Sequence, residues 1–279
     1  MRLFRPLGLA LAGALFVSVA QADTFSTSAL SPTAVPPNGV IAGAYPSGTT
    51  EATYYFAVDL KAGELASQIS FMGRPNRDKK LEFDLLNASG RQVGSHFILG
   101  SLDANADQVR NLPVDAKGRY TIRLKLTGPE TTTFRVELGG SAYADRKPDA
   151  ASAPAPFSAS YVAPTPVPKS GSISGTFPGG DQKVTYYYFA TDLKAGDLMS
   201  QISFAGRANA PKMLQLEVLD ARGRAASSYY VMGELEAKRD ATRKFAIDSS
   251  GRYVLRVAVK GAEGTKFTVD LGGNAFAVQ

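Results

Sequence analysis

Along most of the chain, apolar and polar side chains alternate at every second position. Leu81, Phe83 and Leu85 interleave with Glu82 and Asp84, and the runs Tyr120-Thr-Ile-Arg-Leu-Lys-Leu126 and Phe134-Arg-Val-Glu-Leu138 do the same. A period of two marks a strand with one face on a core. Residues 52–58 and 65–71 are rich in strand formers, and the turn between them, Asp59-Leu60-Lys61-Ala62-Gly63-Glu64, has a glycine near its end. Asn87-Ala88-Ser89-Gly90 makes a later turn. No stretch keeps the 3.6-residue period of a long helix, so the chain is predicted to be all-β.

The pattern occurs twice. Residues 54–144 align with residues 187–277 without a gap, and about half of the pairs are identical; TYYFAVDLKAGELASQISF returns as YYYFATDLKAGDLMSQISF. A repeat this long is a whole domain rather than one turn of a solenoid. Each copy carries roughly eight short strands with turn signals between them, the spacing of a jelly-roll or Greek-key-like β-sandwich. In both copies an Asp-x-x-Gly-x-Tyr pattern opens a late strand (Asp115 to Tyr120, Asp248 to Tyr253). It suits a corner at which the phenol reaches back to the backbone.

The copies are taken as residues 33–143 and 167–279. Between them, residues 144–166 are rich in Ala, Pro and Ser. Such a composition opposes helix and gives an extended, semi-stiff spacer; Phe157 and Tyr161 are the side chains that would anchor it if it lay along a domain surface. Residues 1–22 have Arg2 and Arg5, then a short apolar run, then Ala20-Gln21-Ala22. That order predicts a signal peptide cleaved before Asp23 and export to the periplasm or the medium. The apolar run is short for a membrane span, and the rest of the chain has none.

Composition narrows the chemistry. The chain has no cysteine, no tryptophan and one histidine, His96, which removes disulfides, thiolate metal sites and cysteine nucleophiles and leaves one imidazole for proton transfer. His96 lies in a predicted strand and reads as an ordinary surface or edge residue. Glu82 and Asp84 share a face opposite Leu81, Phe83 and Leu85, which reads as a solvated face. No phosphate loop, dinucleotide fingerprint or nucleophile elbow is present, so no enzyme is expected and no cofactor is required. The 31 basic residues only slightly exceed the 25 acidic ones, and neither copy concentrates them into the stripe that nucleic acid requires.

Two features recur without an evident core role. Phe71-x-Gly73-Arg74-x-Asn76 is matched by Phe204-x-Gly206-Arg207-x-Asn209; Arg74, Asn76, Arg207 and Asn209 offer a planar fork and an amide pair that could hold a polar ligand. The tyrosines Tyr54-Tyr55 and Tyr186-Tyr187-Tyr188 either pack across strands or present an aromatic strip.

The strand Gly39-Val-Ile-Ala-Gly43, repeated as Gly171-Ser-Ile-Ser-Gly175, together with "DLKAGEL", "LEFDLLNASGR" and "GRYTIRL", resembles the bacterial pre-peptidase C-terminal (PPC) domain over nearly all of both copies. The resemblance implies a jelly-roll-like sandwich, export, and a non-catalytic part in binding or in secretion. It also brings in calcium, for which Asp59, Glu64, Asp192 and Asp197, or Asp103 and Asp107, would supply oxygens. No peptidase domain is expected beside the two copies. The expected protein is an exported binding or accessory module for a protein or polysaccharide; the second reading is a self-associating envelope or matrix component.

Overall fold

The computed structural model describes residues 25–45, 51–72, 78–100, 105–128, 132–143, 157–178, 184–205, 212–233, 238–261 and 264–276. The predicted signal peptide lies outside these residues. In the first unit the alternating runs form β1 (Thr33–Ala34), β2 (Val40–Ala44), β3 (Glu51–Leu60), β4 (Gly63–Met72), β5 (Lys79–Leu86), β6 (Gln92–Gly100), β7 (Asn105–Val114), β8 (Gly118–Thr127) and β9 (Thr133–Gly139). The second unit repeats them as β10 (Thr165–Pro166), β11 (Ser172–Thr176), β12 (Thr185–Leu193), β13 (Gly196–Ala205), β14 (Lys212–Leu219), β15 (Ala225–Gly233), β16 (Lys238–Ile247), β17 (Gly251–Gly261) and β18 (Lys266–Gly272).

Each unit is two sheets. One has the order β1-β3-β8-β5-β6 and the other β2-β9-β4-β7, and the second unit follows with β10-β12-β17-β14-β15 and β11-β18-β13-β16. Apart from the two-residue parallel strands β1 and β10, this is the jelly-roll arrangement, two interlocked Greek keys folded into a sandwich. The all-β expectation holds, and so does the alternation. Leu81, Phe83 and Leu85 are fully buried, as are Ile122, Leu124 and Leu126. The two corner tyrosines also behave as read. Tyr120 Oη donates to Ala116 O at 2.9 Å, and Tyr253 Oη donates to Ser249 O at 2.8 Å.

Sequence periodicity did not show how early each unit begins. Phe25 stacks edge-on against Tyr54 and Phe56, and Phe157 meets Tyr187 and Phe189 in the same way. Ser26 N and Ser158 N each donate to a threonine hydroxyl seven residues on, Thr33 and Thr165. Residues 157–166 of the proline-rich stretch are therefore built into the second unit, as residues 25–34 are into the first. This also explains the second glycine of the Gly-x-Ile-x-Gly strand. A Cβ at Gly43 would lie 2.9 Å from the Phe25 ring, and one at Gly175 would lie 2.6 Å from Phe157.

The two units touch, and residues 158–162 lie between them. Tyr161, only 5% exposed, packs with Ala66 and Val109 of the first unit and with Tyr188 and Leu219 of the second. Gln68 grips the backbone of this segment twice: its Nε2 donates to Ala159 O at 3.1 Å, and its Oε1 accepts from Tyr161 N at 2.7 Å. Ser160 Oγ donates to Glu137 Oε2 at 2.6 Å, and Val162 fills the space above Gly139. The turn between β14 and β15 then caps the β7 edge, where Asn111 N donates to Arg222 O at 3.0 Å and Asn111 Nδ2 to Ala221 O at 2.8 Å. A free strand edge is a pairing hazard; in the first unit a sister domain covers it.

Candidate functional site

His96 corrects the surface reading. It stands on the edge strand β6 but points into the sandwich, 5% exposed, against Phe83 at 5.3 Å between ring centroids. Its Nε2 is 2.9 Å from Ser67 Oγ on the opposite sheet. Burial, reinforced by the nearby Arg110 charge, pushes its pKa down to about 3. At neutral pH it is an uncharged polar plug in the core. The phenols were read as packed or as a strip, and packing describes those that are buried. Tyr54, Tyr187 and Tyr188 are core or interface residues, and Arg256 lies over the ring of Tyr186 at 5.6 Å.

Glu82 and Asp84 do share the outer face, but it is not simply a solvated one. Asp84 is 1% exposed and accepts from Arg123 Nε and Nη2 at 2.9 and 2.8 Å. Glu82 accepts from Lys80 at 2.6 Å and from Lys125 at 2.9 Å, and these two hydrogen bonds hold its carboxyl below the usual range. In the second unit the ladder shrinks to one pair, Arg256 with Glu217. These carboxylates are structural partners of cations.

The candidate ligand residues Arg74, Asn76, Arg207 and Asn209 lie outside the described residues, as does Asp103. Asp59, Glu64 and Asp192 are exposed, and Asp197 pairs with Lys244 at 2.7 Å. Among the described residues no group of three or more His, Asp or Glu side chains could hold a metal ion.

The two units differ most where a sandwich is open, between the edge strands of its two sheets. In the first unit the gap between β6 and β7 holds the Ser67–His96 pair and Arg110, and the turn 220–224 lies across it. The guanidinium of Arg110 donates to Gly223 O at 3.4 Å. In the second unit the gap between β15 and β16 is a mouth of about 530 Å³ lined by Ser227, Ser228, Tyr229, Arg243, Lys244 and Phe245. Arg243 stacks on the Tyr229 ring at 4.8 Å, a cation–π contact that fixes the guanidinium while leaving its edge available. Arg243 and Lys244 are exposed. Directly across the register from Arg243 is Ser200, the counterpart of Ser67. Its hydroxyl is buried and meets no partner among the described residues.

Tyr229, Arg243 and Lys244 carry no motif and were not singled out from sequence. The only signal was the mismatch of the copies, with tyrosine where the first has its lone histidine and lysine where it has Asn111. A second hollow of about 370 Å³ lies beside the turn 220–224 and is lined by Arg222, Arg224, Arg252 and Tyr253 among others. There Asp220 is occupied locally, accepting from the amides of Arg222 and Arg224, both at 2.8 Å.

No protein-family model matches the sequence, and no curated protein does. Solved structures give distant likenesses. The tandem CBM22-1–CBM22-2 region of Paenibacillus barcinonensis Xyn10C is 8% identical, with 85% of this chain and 93% of that one covered at a TM-score of 0.22. A putative secreted protein of Parabacteroides distasonis is 6% identical, with 84% and 89% covered at 0.21. The empty cowpea mosaic virus particle is 10% identical, with 78% of each chain covered at 0.27. Likenesses this slight bear on neither family nor function. Among the described residues no helix is long and apolar enough to cross a membrane.

Proposed function

We propose that the protein is an exported, non-catalytic binding or accessory module of the PPC type, and that its second unit takes carboxylate-bearing groups of a polysaccharide or protein. The observation that carries this reading is the mouth between β15 and β16, where Arg243 rests on Tyr229 beside Lys244. A guanidinium held flat by an aromatic ring is pre-oriented for two parallel hydrogen bonds to a carboxylate, so less side-chain entropy is lost on binding. The non-catalytic part of the reading is supported by His96, which is buried, neutral and occupied by Ser67. The two units are not equivalent, so the ligand is held once per chain rather than twice.

Affinity electrophoresis in gels containing alginate or poly-glutamate, with neutral pullulan as control, tests the proposal. Retardation by the acidic polymers, weakening with salt and lost in Arg243→Ala/Lys244→Ala, is the expected result. Equal retardation of wild type and double variant, or none in either acidic polymer, would remove it.

A further inference from the structure

We infer that the contact joining the two units within a chain is reused between chains, so that the second unit of one molecule seats the first unit of the next, head to tail. This rests on the internal repeat and does not depend on the carboxylate reading.

The intramolecular contact is heterologous. The second unit contributes the loop 158–162 and the turn 220–224, and the first contributes the outer face of β9, β4 and β7. Each unit, being a copy, carries both surfaces. One of each is therefore left over, and both leftovers are exposed. Gln68, 7% exposed under the loop, has the exposed counterpart Gln201. Glu137, which holds Ser160, has the exposed counterpart Asp270. Gly139 lies under Val162, whereas a Cβ at its counterpart Gly272 would meet nothing within 4 Å. A Cβ at Gly223 would come within 3.2 Å of Arg110, whereas one at Gly90 would meet nothing.

The apolar side chains point the same way. The large ones most exposed are Leu30, Phe97, Leu99 and Met199. Leu30, 98% exposed, is the counterpart of Val162, and Met199 is the counterpart of Ala66. The gripping groups are thus kept on both leftover surfaces: Gln201, Asp270 and Gly272 on one, Ser28 and Leu30 on the other. What is missing is the wedge, because Ala29 stands where the second unit has Tyr161, and part of its seat, because Lys244 and Thr242 stand where the first unit has Asn111 and Val109. The contact between chains also lacks the covalent tether that raises effective concentration within a chain, so it is the weaker of the two. A heterologous contact whose rotation does not close generates an open row of molecules.

Sedimentation of the purified exported protein over a concentration series tests this. The mass is expected to rise with concentration past that of a dimer. Ala29→Tyr/Met199→Ala, which restores the wedge and the alanine of its seat, shifts the transition to concentrations lower by at least about tenfold. Leu30→Asp changes an exposed position and Gly272→Trp a half-buried one where an added Cβ has open space, so both variants keep the wild-type melting profile and stay monomeric alone. Mixed in equal amounts they form dimers and nothing larger, because each retains one working surface. Overturning results are a strict monomer even with the restored wedge, association by Leu30→Asp or Gly272→Trp alone, or no dimer on mixing.

Discussion

Ser67 Oγ and His96 Nε2 meet at 2.9 Å across the core of the first unit, joining the two sheets through a pair that the second unit lacks. The imidazole there has its pKa pushed down from 6.5 to about 3 by burial and by the charge of Arg110. Between those two values the unfolded chain binds a proton that the folded chain refuses. Stability therefore falls as pH drops through that window and is fully present above it. The loss is on the order of a few kcal/mol by pH 4. Urea midpoints at pH 7.5 and pH 4.5 should differ more for wild type than for His96→Phe, which keeps a ring against Phe83 but cannot titrate. An equal difference in both proteins would mean that His96 does not resist protonation in the fold.

Tyr161 is held on both sides, by Ala66 and Val109 of one unit and by Tyr188 and Leu219 of the other, and its hydroxyl donates to Asn111 Oδ1 at 3.2 Å. Replacing it by alanine removes a buried aromatic and leaves a cavity, costing about 3–5 kcal/mol of the contact between units. Neither sandwich core loses a side chain. Small-angle scattering of Tyr161→Ala should show the units separating and the radius of gyration growing, while both retain their secondary structure. Phe157→Ala should do the opposite, lowering the stability of the second unit with the first unaffected. A Tyr161→Ala scattering profile identical to wild type would show that the backbone grip of Gln68 is sufficient by itself.

The strands, their faces and the tandem repeat could be read because alternation and self-similarity are local and survive divergence. The direction of His96 could not. In β6 the residues of either parity include apolar side chains, Ile98 beside His96 and Phe97 and Leu99 opposite, so the period of two names no inner face. The docking of residues 158–162 was legible only in part: Tyr161 stood out as a side chain that could anchor the segment to a domain surface, but its seat, with Gln68, Glu137 and Gly139, carried no mark in the pattern. Its trace in the sequence is a difference between the copies, Tyr161 against Ala29 and Ala66 against Met199. Comparing the copies for what they share obscures such positions.

Asp84 and Arg123 form the most buried ion pair on the first unit's outer face among the described residues, with side chains 2% and 27% exposed. Arg123→Met strands a buried carboxylate and should cost about 3 kcal/mol or more. Lys125 Nζ, 3.7 Å away, offsets part of that. Asp84→Leu/Arg123→Met removes both charges and should recover most of the loss. Denaturant midpoints of the two single variants and the double variant give the coupling between the pair, and additive losses would mean that Lys125 alone neutralises Asp84.

Binding at the mouth and stacking of chains use adjoining ground. Within a chain the turn 220–224 lies over Arg110 and Asn111; between chains the turn 87–91 would lie over Arg243 and Lys244 in the same way. A carboxylate polymer lodged against Arg243 then occupies the space that the incoming turn needs, so the two events exclude each other. Alginate should lower the mass of the associated protein in sedimentation, and pullulan should not. Arg243→Ala/Lys244→Ala gives up the guanidinium contact with the incoming turn and so associates at higher concentration than wild type, but its association should not respond to alginate, because the polymer no longer competes for the edge of β16. If alginate shortens the assemblies of this variant as effectively as those of wild type, the polymer acts somewhere other than the mouth.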